Sequence, residues 1–249
     1  MNRSRAVAIT TILLAVIVVS GIALAPYIFG PGSEADAISV TLLHTAGVMI
    51  EAEGMRIYVD PYNLSESYAD FPADAILITH PHFDHYNETM VNMLQKDGTR
   101  NVFPAVMSEE IALHDGIGVV PGDSLNVGEI NITVFYLYTE TYGHARDRNW
   151  TSYLFDINGF VIYHGGDAKD MPELEQLRGL VDVAFIPAYL LGIGTVDAIM
   201  NLQPRYFIAT HYTEGYLQSL IDTCEEEIAE LAYTEPIWLE YWESHTFYP

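Results

Sequence analysis

Four apolar residues, Ala75-Ile76-Leu77-Ile78, run directly into Thr79-His80-Pro81-His82-Phe83-Asp84-His85. A short, unbroken apolar run suits a strand covered on both faces rather than one with a wet side. Such a strand needs partners at both edges and layers above and below it. The histidines and the aspartate that follow are costly to bury unless something pairs with them. The chain therefore has to supply a layered fold and place this polar cluster at the mouth of a central strand.

The rest of the sequence fits that demand. "ISVTLLH", "GVMIEA" and "MRIYVDP" read as three successive strands separated at Gly47 and Gly54. After the central strand, a helix is predicted around Glu88–Gln95, "NVFPAVM" as a strand, and "SEEIALHDG" as a helix opened by Ser108 and closed near Gly116. "GVVPG", "INITVFYLY", "WTSYLFDI" and "FVIYHGG" form a second strand series. "VDVAFIPA", a helix near Val196–Leu202, "RYFIAT" and a long helix over Glu214–Leu231 then complete the chain. Each half begins with strands and goes on to alternate strands with helices. This predicts two mixed sheets packed face to face with helices outside, an α/β sandwich.

Zinc and related cations take imidazole and carboxylate ligands, usually from loops at strand ends. His80, His82, Asp84 and His85 meet that description. Alternation in an extended segment would point His80, His82 and Asp84 the same way, with His85 turning in as the helix begins. Four such ligands exceed what one tetrahedral ion with an open position can use, so two ions are expected. Further ligands should then sit in later strand-end loops. His144 in "TYGHARD", Asp167 in "YHGGDAKD" and His211 in "IATHYTEG" are the first candidates there.

"THPHFDH" followed by these three positions resembles the HxHxDH signature of the metallo-β-lactamase fold hydrolases. "LLHTAGVMIEAEGMRIYVDPY", "IYHGGD" and "ATHYTEG" are similar to the branch that contains ascorbate-6-phosphate lactonase. More distantly, they resemble the phospholipase D enzymes that act on N-acyl-phosphatidylethanolamine. The resemblance spans Val40 to Thr213 and implies an αββα four-layer sandwich. It also implies a site-by-site assignment. His80, His82 and His144 would hold one metal, Asp84, His85 and His211 the other, and Asp167 would bridge them. Asp84 would also handle the proton of a hydroxide nucleophile. Asp60 would orient a ligand histidine from behind. His44 would touch substrate or metal, and Tyr212 would donate a hydrogen bond to developing charge. His164 is expected to pack beneath Asp167, and His114 and His245 to be ordinary loop or surface histidines.

The N-terminal segment Ala6–Phe29 carries no charge and follows Arg3 and Arg5. About 20 apolar residues suffice to cross a bilayer as a helix, and flanking arginines keep that end in the cytoplasm. Residues 1–29 are therefore predicted to be a transmembrane anchor, 30–37 a linker, and 38–249 an extracytoplasmic hydrolase domain. A cleaved signal peptide ending at Ala23-Leu24-Ala25, and so a secreted protein, is the alternative; Pro26 stiffens the chain where cleavage would occur. The lone cysteine, Cys224, rules out an internal disulfide and reads as a small buried hydrophobe.

Lysine occurs only at Lys96 and Lys169, and the formal net charge is −24. That field repels polyanions, so nucleic acid is excluded as an expected partner. The expected activity is hydrolysis of an ester, lactone, amide or phosphodiester in a small-molecule or lipid substrate, with two divalent ions (zinc, or else manganese or iron). The alternatives are a di-iron redox protein on the same fold, in which a glutamate usually replaces His82, and a non-catalytic metal-binding surface protein.

Overall fold

The computed structural model describes residues 36–139, 143–169, 171–189 and 194–249. The predicted membrane segment lies outside them. Among the described residues, no helix is long and apolar enough to cross a membrane.

Ile38–Phe247 builds two seven-stranded mixed sheets. The first comprises β1 (Ile38–Leu42), β2 (Val48–Ala52), β3 (Met55–Val59), β4 (Ala75–Leu77), β5 (Arg100–Pro104), β6 (Ile117–Val119) and β14 (Ser244–Phe247), in the order β14-β1-β2-β3-β4-β5-β6. The second comprises β7 (Ser124–Val127), β8 (Ile130–Leu137), β9 (Trp150–Ile157), β10 (Phe160–His164), β11 (Val183–Pro187), β12 (Tyr206–Thr210) and β13 (Glu235–Ile237), in the order β13-β12-β11-β10-β9-β8-β7. In each sheet the earlier strands pair antiparallel and the later ones parallel, except that β14 returns to pair antiparallel with β1. This is the two-part pattern read from the sequence. Helices α1 (Glu88–Leu94), α2 (Ser108–Leu113), α3 (Thr195–Leu202) and α4 (Leu217–Ala229) supply the crossovers.

Side-chain alternation decides which residues enter which layer. Val48, Ile50, Ile57, Val59, Ala75 and Leu77 join Ile130, Ile132 and Val134 of the second sheet in the central core. The intervening residues Met49, Tyr58, Ile76 and Phe103 face the other way and pack under Val91 and Leu94 of α1. The apolar run at β4 is thus covered on both faces, as its composition requires. The second sheet carries α3 against β11 and α4 against β13. Cys224 is buried on α4, as expected.

Hydrogen bonds tie the two halves together where the strands end. Tyr153 Oη donates to Ile78 O (2.7 Å) and Thr151 N to Thr79 O (3.1 Å). His164 Nε2 donates to Ala46 O (2.7 Å) and His211 N to Thr45 O (2.7 Å). The loops after β3, β4, β8, β10 and β12 meet at this edge.

Candidate metal centre

All seven expected ligand residues come together here. His80, His82, His144 and Asp167 form one group and Asp84, His85 and His211 a second; within each, the ligand-type atoms lie within 4.8 Å of one another. Asp167 stands between the two. Its Oδ2 lies 3.0 Å from His144 Nε2 and 3.7 Å from His80 Nε2. Its Oδ1 lies 3.1 Å from His85 Nε2 and 3.4 Å from His211 Nε2. Each carboxylate oxygen serves one group.

The alternation expected for His80, His82 and Asp84 does not hold. His85 N and Tyr86 N both donate to His82 O (3.0 and 2.9 Å), so the segment turns after His82 rather than staying extended. Asp84 is swung away from His80 and His82, and its Oδ2 lies 3.3 Å from His211 Nε2. The turn is what allows one short loop to serve two groups.

Asp60 is fully buried and organises this loop from below. It accepts hydrogen bonds from Thr79 N (2.7 Å), Thr79 Oγ1 (2.6 Å) and His85 Nδ1 (2.8 Å). With Nδ1 tied to Asp60, His85 presents Nε2 to Asp167. Thr79 Oγ1, its proton given to Asp60, can accept from His80 Nδ1 at 3.0 Å and so leaves His80 Nε2 facing the site. Carboxylate and hydroxyl partners behind imidazoles fix the ring and its tautomer in this way at metal centres.

Electrostatics follows burial and partner. Burial holds His80 well below the ordinary imidazole range and pulls His82 down as well. Burial opposes a charge on His85 too, but the carboxylates of Asp167 and Asp60 outweigh it and raise its pKa well above the ordinary value. For Asp167, burial favours the acid, yet His85 and the hydrogen bond from His144 hold it well below the usual carboxylate range. Burial acts the same way on Asp84, where the bond to His211 prevails and the pKa is lowered.

The donor set suits hard and borderline divalent cations: imidazole nitrogens plus ionised carboxylates. Asp167 Oδ1 and His85 Nε2 are buried yet make no well-aligned hydrogen bond. Polar atoms in that state are costly unless something charged engages them. A cation held at His85 Nε2 would need that nitrogen free of a proton.

Several contributors carried no recognised signal in the sequence. Trp150, at the start of β9, walls the first group, with ring centroids 4.8 Å from His80, 5.0 Å from His82 and 5.4 Å from His144. Gly166 has φ +56°, and a Cβ there would meet Leu137 Cδ1 at 2.7 Å and Thr79 Oγ1 at 2.9 Å. Only glycine lets the Asp167 loop lie this close to Thr79. Gly166 N donates to Nδ1 of buried His164 (3.2 Å), which places His164 beneath the loop as expected.

Other expectations need correction. Tyr212 is buried and its hydroxyl donates to Leu239 O (2.6 Å), so that proton is not available to developing charge. Its ring stacks on Tyr241 at 4.7 Å. His44 departs from expectation only as a metal contact: it belongs to neither ligand group and is half-buried, with Nδ1 2.9 Å from Thr45 Oγ1 and Nε2 3.9 Å from Glu214. His114 is no surface residue. It is buried, bonded to Tyr86 Oη and Gln95 Nε2 (both 3.1 Å), and stacked on Phe103. His245 is partly buried and packs on Phe247.

Residues 39–211 match the Beta-lactamase superfamily domain family. A UPF0173 metal-dependent hydrolase of Pyrococcus furiosus is 30% identical over 193 residues, covering 70% of this chain and 84% of the relative. Among solved structures, a metallo hydrolase of the archaeon Ignicoccus hospitalis superposes with TM-score 0.69 at 19% identity, over 85% of this chain and 98% of that one. A diiron β-hydroxylase of Streptomyces venezuelae superposes with TM-score 0.64 at 14% identity, over 85% of this chain and 54% of that one. At these identities both structures establish the fold alone.

Proposed function

Because this chain belongs to the metallo-β-lactamase superfamily, and within it to the UPF0173 metal-dependent hydrolases, we propose that it hydrolyses an ester, lactone, amide or phosphodiester at a dinuclear centre of divalent ions, zinc first among them. The observation that carries this reading is the division of Asp167, one oxygen toward His80 and His144 and the other toward His85 and His211. His80, His82 and His144 would hold one ion and Asp84, His85 and His211 the other, with Asp167 shared.

A pair of such ions, when bound, lowers the pKa of water and polarises the bond under attack. The protein's own residues do the rest. Asp84, partly exposed and held ionised by His211, takes the proton from the attacking water and returns it to the leaving group. Asp60 and Thr79 keep His85 and His80 in the orientation that presents Nε2. Trp150 screens the first group from solvent. His82, where di-iron redox members of the fold usually carry glutamate, supports the hydrolytic reading.

The net charge of −24 favours neutral or singly charged substrates, small molecules or lipids, over nucleic acid. The more distant phospholipase resemblance supports the same choice, whereas ascorbate-6-phosphate itself, a multiply charged anion, does not fit it. The charge-free segment Ala6–Phe29 supports a membrane-anchored, extracytoplasmic enzyme. Protease added to intact cells should then reach the catalytic domain, and a domain that stays protected refutes that placement. The central test is elemental analysis after reconstitution with Zn²⁺, Mn²⁺ or Fe²⁺, followed by assay against esters, lactones and phosphodiesters. About two ions per chain with turnover is the expected result; a chain that retains no metal overturns the proposal.

A further inference from the structure

A strip of aromatic rings leads away from the ligand loop. Phe83, between His82 and Asp84, is 75% exposed and meets Tyr62 edge-on at 6.1 Å. Tyr62 lies 5.7 Å from His44, and His44 lies 6.4 Å from Trp242. Trp242 continues to Tyr68 at 5.9 Å, and Tyr68 to Phe71 at 6.2 Å. A cavity of about 550 Å³, lined by Asn63, Leu64, Ser65, Tyr68 and Trp242, opens at the far part of the strip. That is within the usual range for small-molecule sites.

Two further observations indicate a ligand surface rather than leftover core. Trp242 holds φ +77°, a backbone conformation that bulky residues seldom adopt, and remains 40% exposed. Its N–H is anchored to Leu42 O at 2.6 Å, so the fold maintains the strain in order to present the ring. The charges beside the strip are also unsuited to an anion. Glu214 stands 3.9 Å from His44, and Arg56, over the ring of Phe71, is already paired with Glu51 at 2.7 Å.

We infer that this strip is the subsite for an uncharged, linear acyl chain of the substrate, laid from Phe83 at the ligand loop toward Tyr68 and Trp242. The inference rests on the hydrolase reading for the reaction, but not for the binding. A single ring would cover one step of the strip; an extended chain covers several, and aromatic faces take such chains without demanding a polar partner. Each fully buried methylene strengthens binding about fourfold, so a chain of eight carbons that is only partly covered should still gain at least about tenfold over two.

The test uses the full chain loaded with Zn²⁺ or Mn²⁺. Hydrolysis of p-nitrophenyl octanoate is compared with that of p-nitrophenyl acetate, and binding of 1-octanol is followed separately by saturation-transfer NMR. The octanoate-to-acetate ratio of kcat/KM should exceed about ten and collapse by about that factor in Trp242→Ala, chiefly through KM. Tyr68→Ala, from a different loop, must act in the same direction, which covers the case in which Trp242→Ala fails to fold. Octanol should bind saturably to the wild type and lose affinity in both variants. If neither ester is turned over but octanol binding depends on Trp242 and Tyr68, the hydrolytic reading has failed and the subsite stands. If octanol does not bind, or binds equally well to both variants, the subsite is wrong even if hydrolysis is brisk.

Discussion

The two halves of the molecule build one site in opposite ways. The first half delivers four ligand-type residues, His80, His82, Asp84 and His85, from a single turn after β4. The second delivers three, His144, Asp167 and His211, each from a separate loop. The compact set shares one scaffold, because Asp60 and Thr79 brace His80 and His85 together. The dispersed set depends on long-range contacts such as His164 to Ala46 and His211 N to Thr45 O. A ligand in the first half is thus fixed mainly by its sequence neighbours, and one in the second mainly by the other half.

The largest effect should come from the dispersed side. Asp167→Ala removes a carboxylate that faces both groups, and should lower metal content at both positions. Loss of several kcal/mol of transition-state stabilisation corresponds to about 10⁴-fold in kcat/KM. His82→Ala removes a ligand from one group only and should leave close to one ion per chain. If elemental analysis finds equal losses in the two variants, Asp167 does not bridge.

Next comes Asp84→Asn, which keeps an oxygen in place but removes the proton acceptor. Turnover should fall by about 10²–10³-fold, the range of general acid–base catalysis, while metal content changes far less. Proportionate losses of both would make Asp84 a ligand and nothing more.

Smaller effects should separate the two scaffolds. Asp60→Asn loosens His85 and the Thr79 turn, and should cost about 10–100-fold in metal affinity, measured by chelator competition. Gly166→Ala forces a Cβ toward Thr79 at positive φ and should destabilise the fold by about 1–3 kcal/mol in urea unfolding. It should also weaken metal binding through the Asp167 loop. Metal affinity unmoved by Gly166→Ala would mean that this loop tolerates displacement, and the contrast between the halves would weaken.

How legible each half was in the sequence follows from the same contrast. The compact motif announced itself because its residues are neighbours after an unmistakable buried strand. His144, Asp167 and His211 could be proposed only as the first ligand types after apolar strands, and Gly166 and His164 acquire their roles from contacts across the two halves. Strand β7 carries little signal, because Ser124 and Asn126 are exposed and break its apolar pattern. Strand β13 is three residues long with a proline at its centre. Strand β14 pairs with β1 across some two hundred positions, as in Ile38 with Phe247, and no local pattern reports such a partner. Tyr62, Tyr68 and Trp242 likewise converge from separate loops. The turn after His82 defeats strand alternation because β4 ends at Leu77, before the ligand residues begin.

His114 offers the finest test of the comparison, since it belongs to the outer layer of the first half and touches no ligand. Its ring joins Tyr86, next to His85, to Gln95 at the end of α1 and Phe103 on β5. Burial lowers its pKa below the ordinary imidazole value, against the pull of Glu88 and Glu110. The folded state therefore binds this proton less readily than the unfolded chain does. The stability that the neutral ring contributes is complete above the unfolded pKa of about 6.5 and is lost as pH falls through it, levelling off below the depressed folded value. Urea unfolding between pH 7.5 and 5.5 should show the wild type losing more stability than His114→Gln, whose side chain cannot titrate. The difference should be the smallest of those proposed, because the ring is one titrating group among many. An identical pH slope in the two proteins would show that His114 is solvated enough to take up its proton without strain. The brace beneath α1 would then be packing alone.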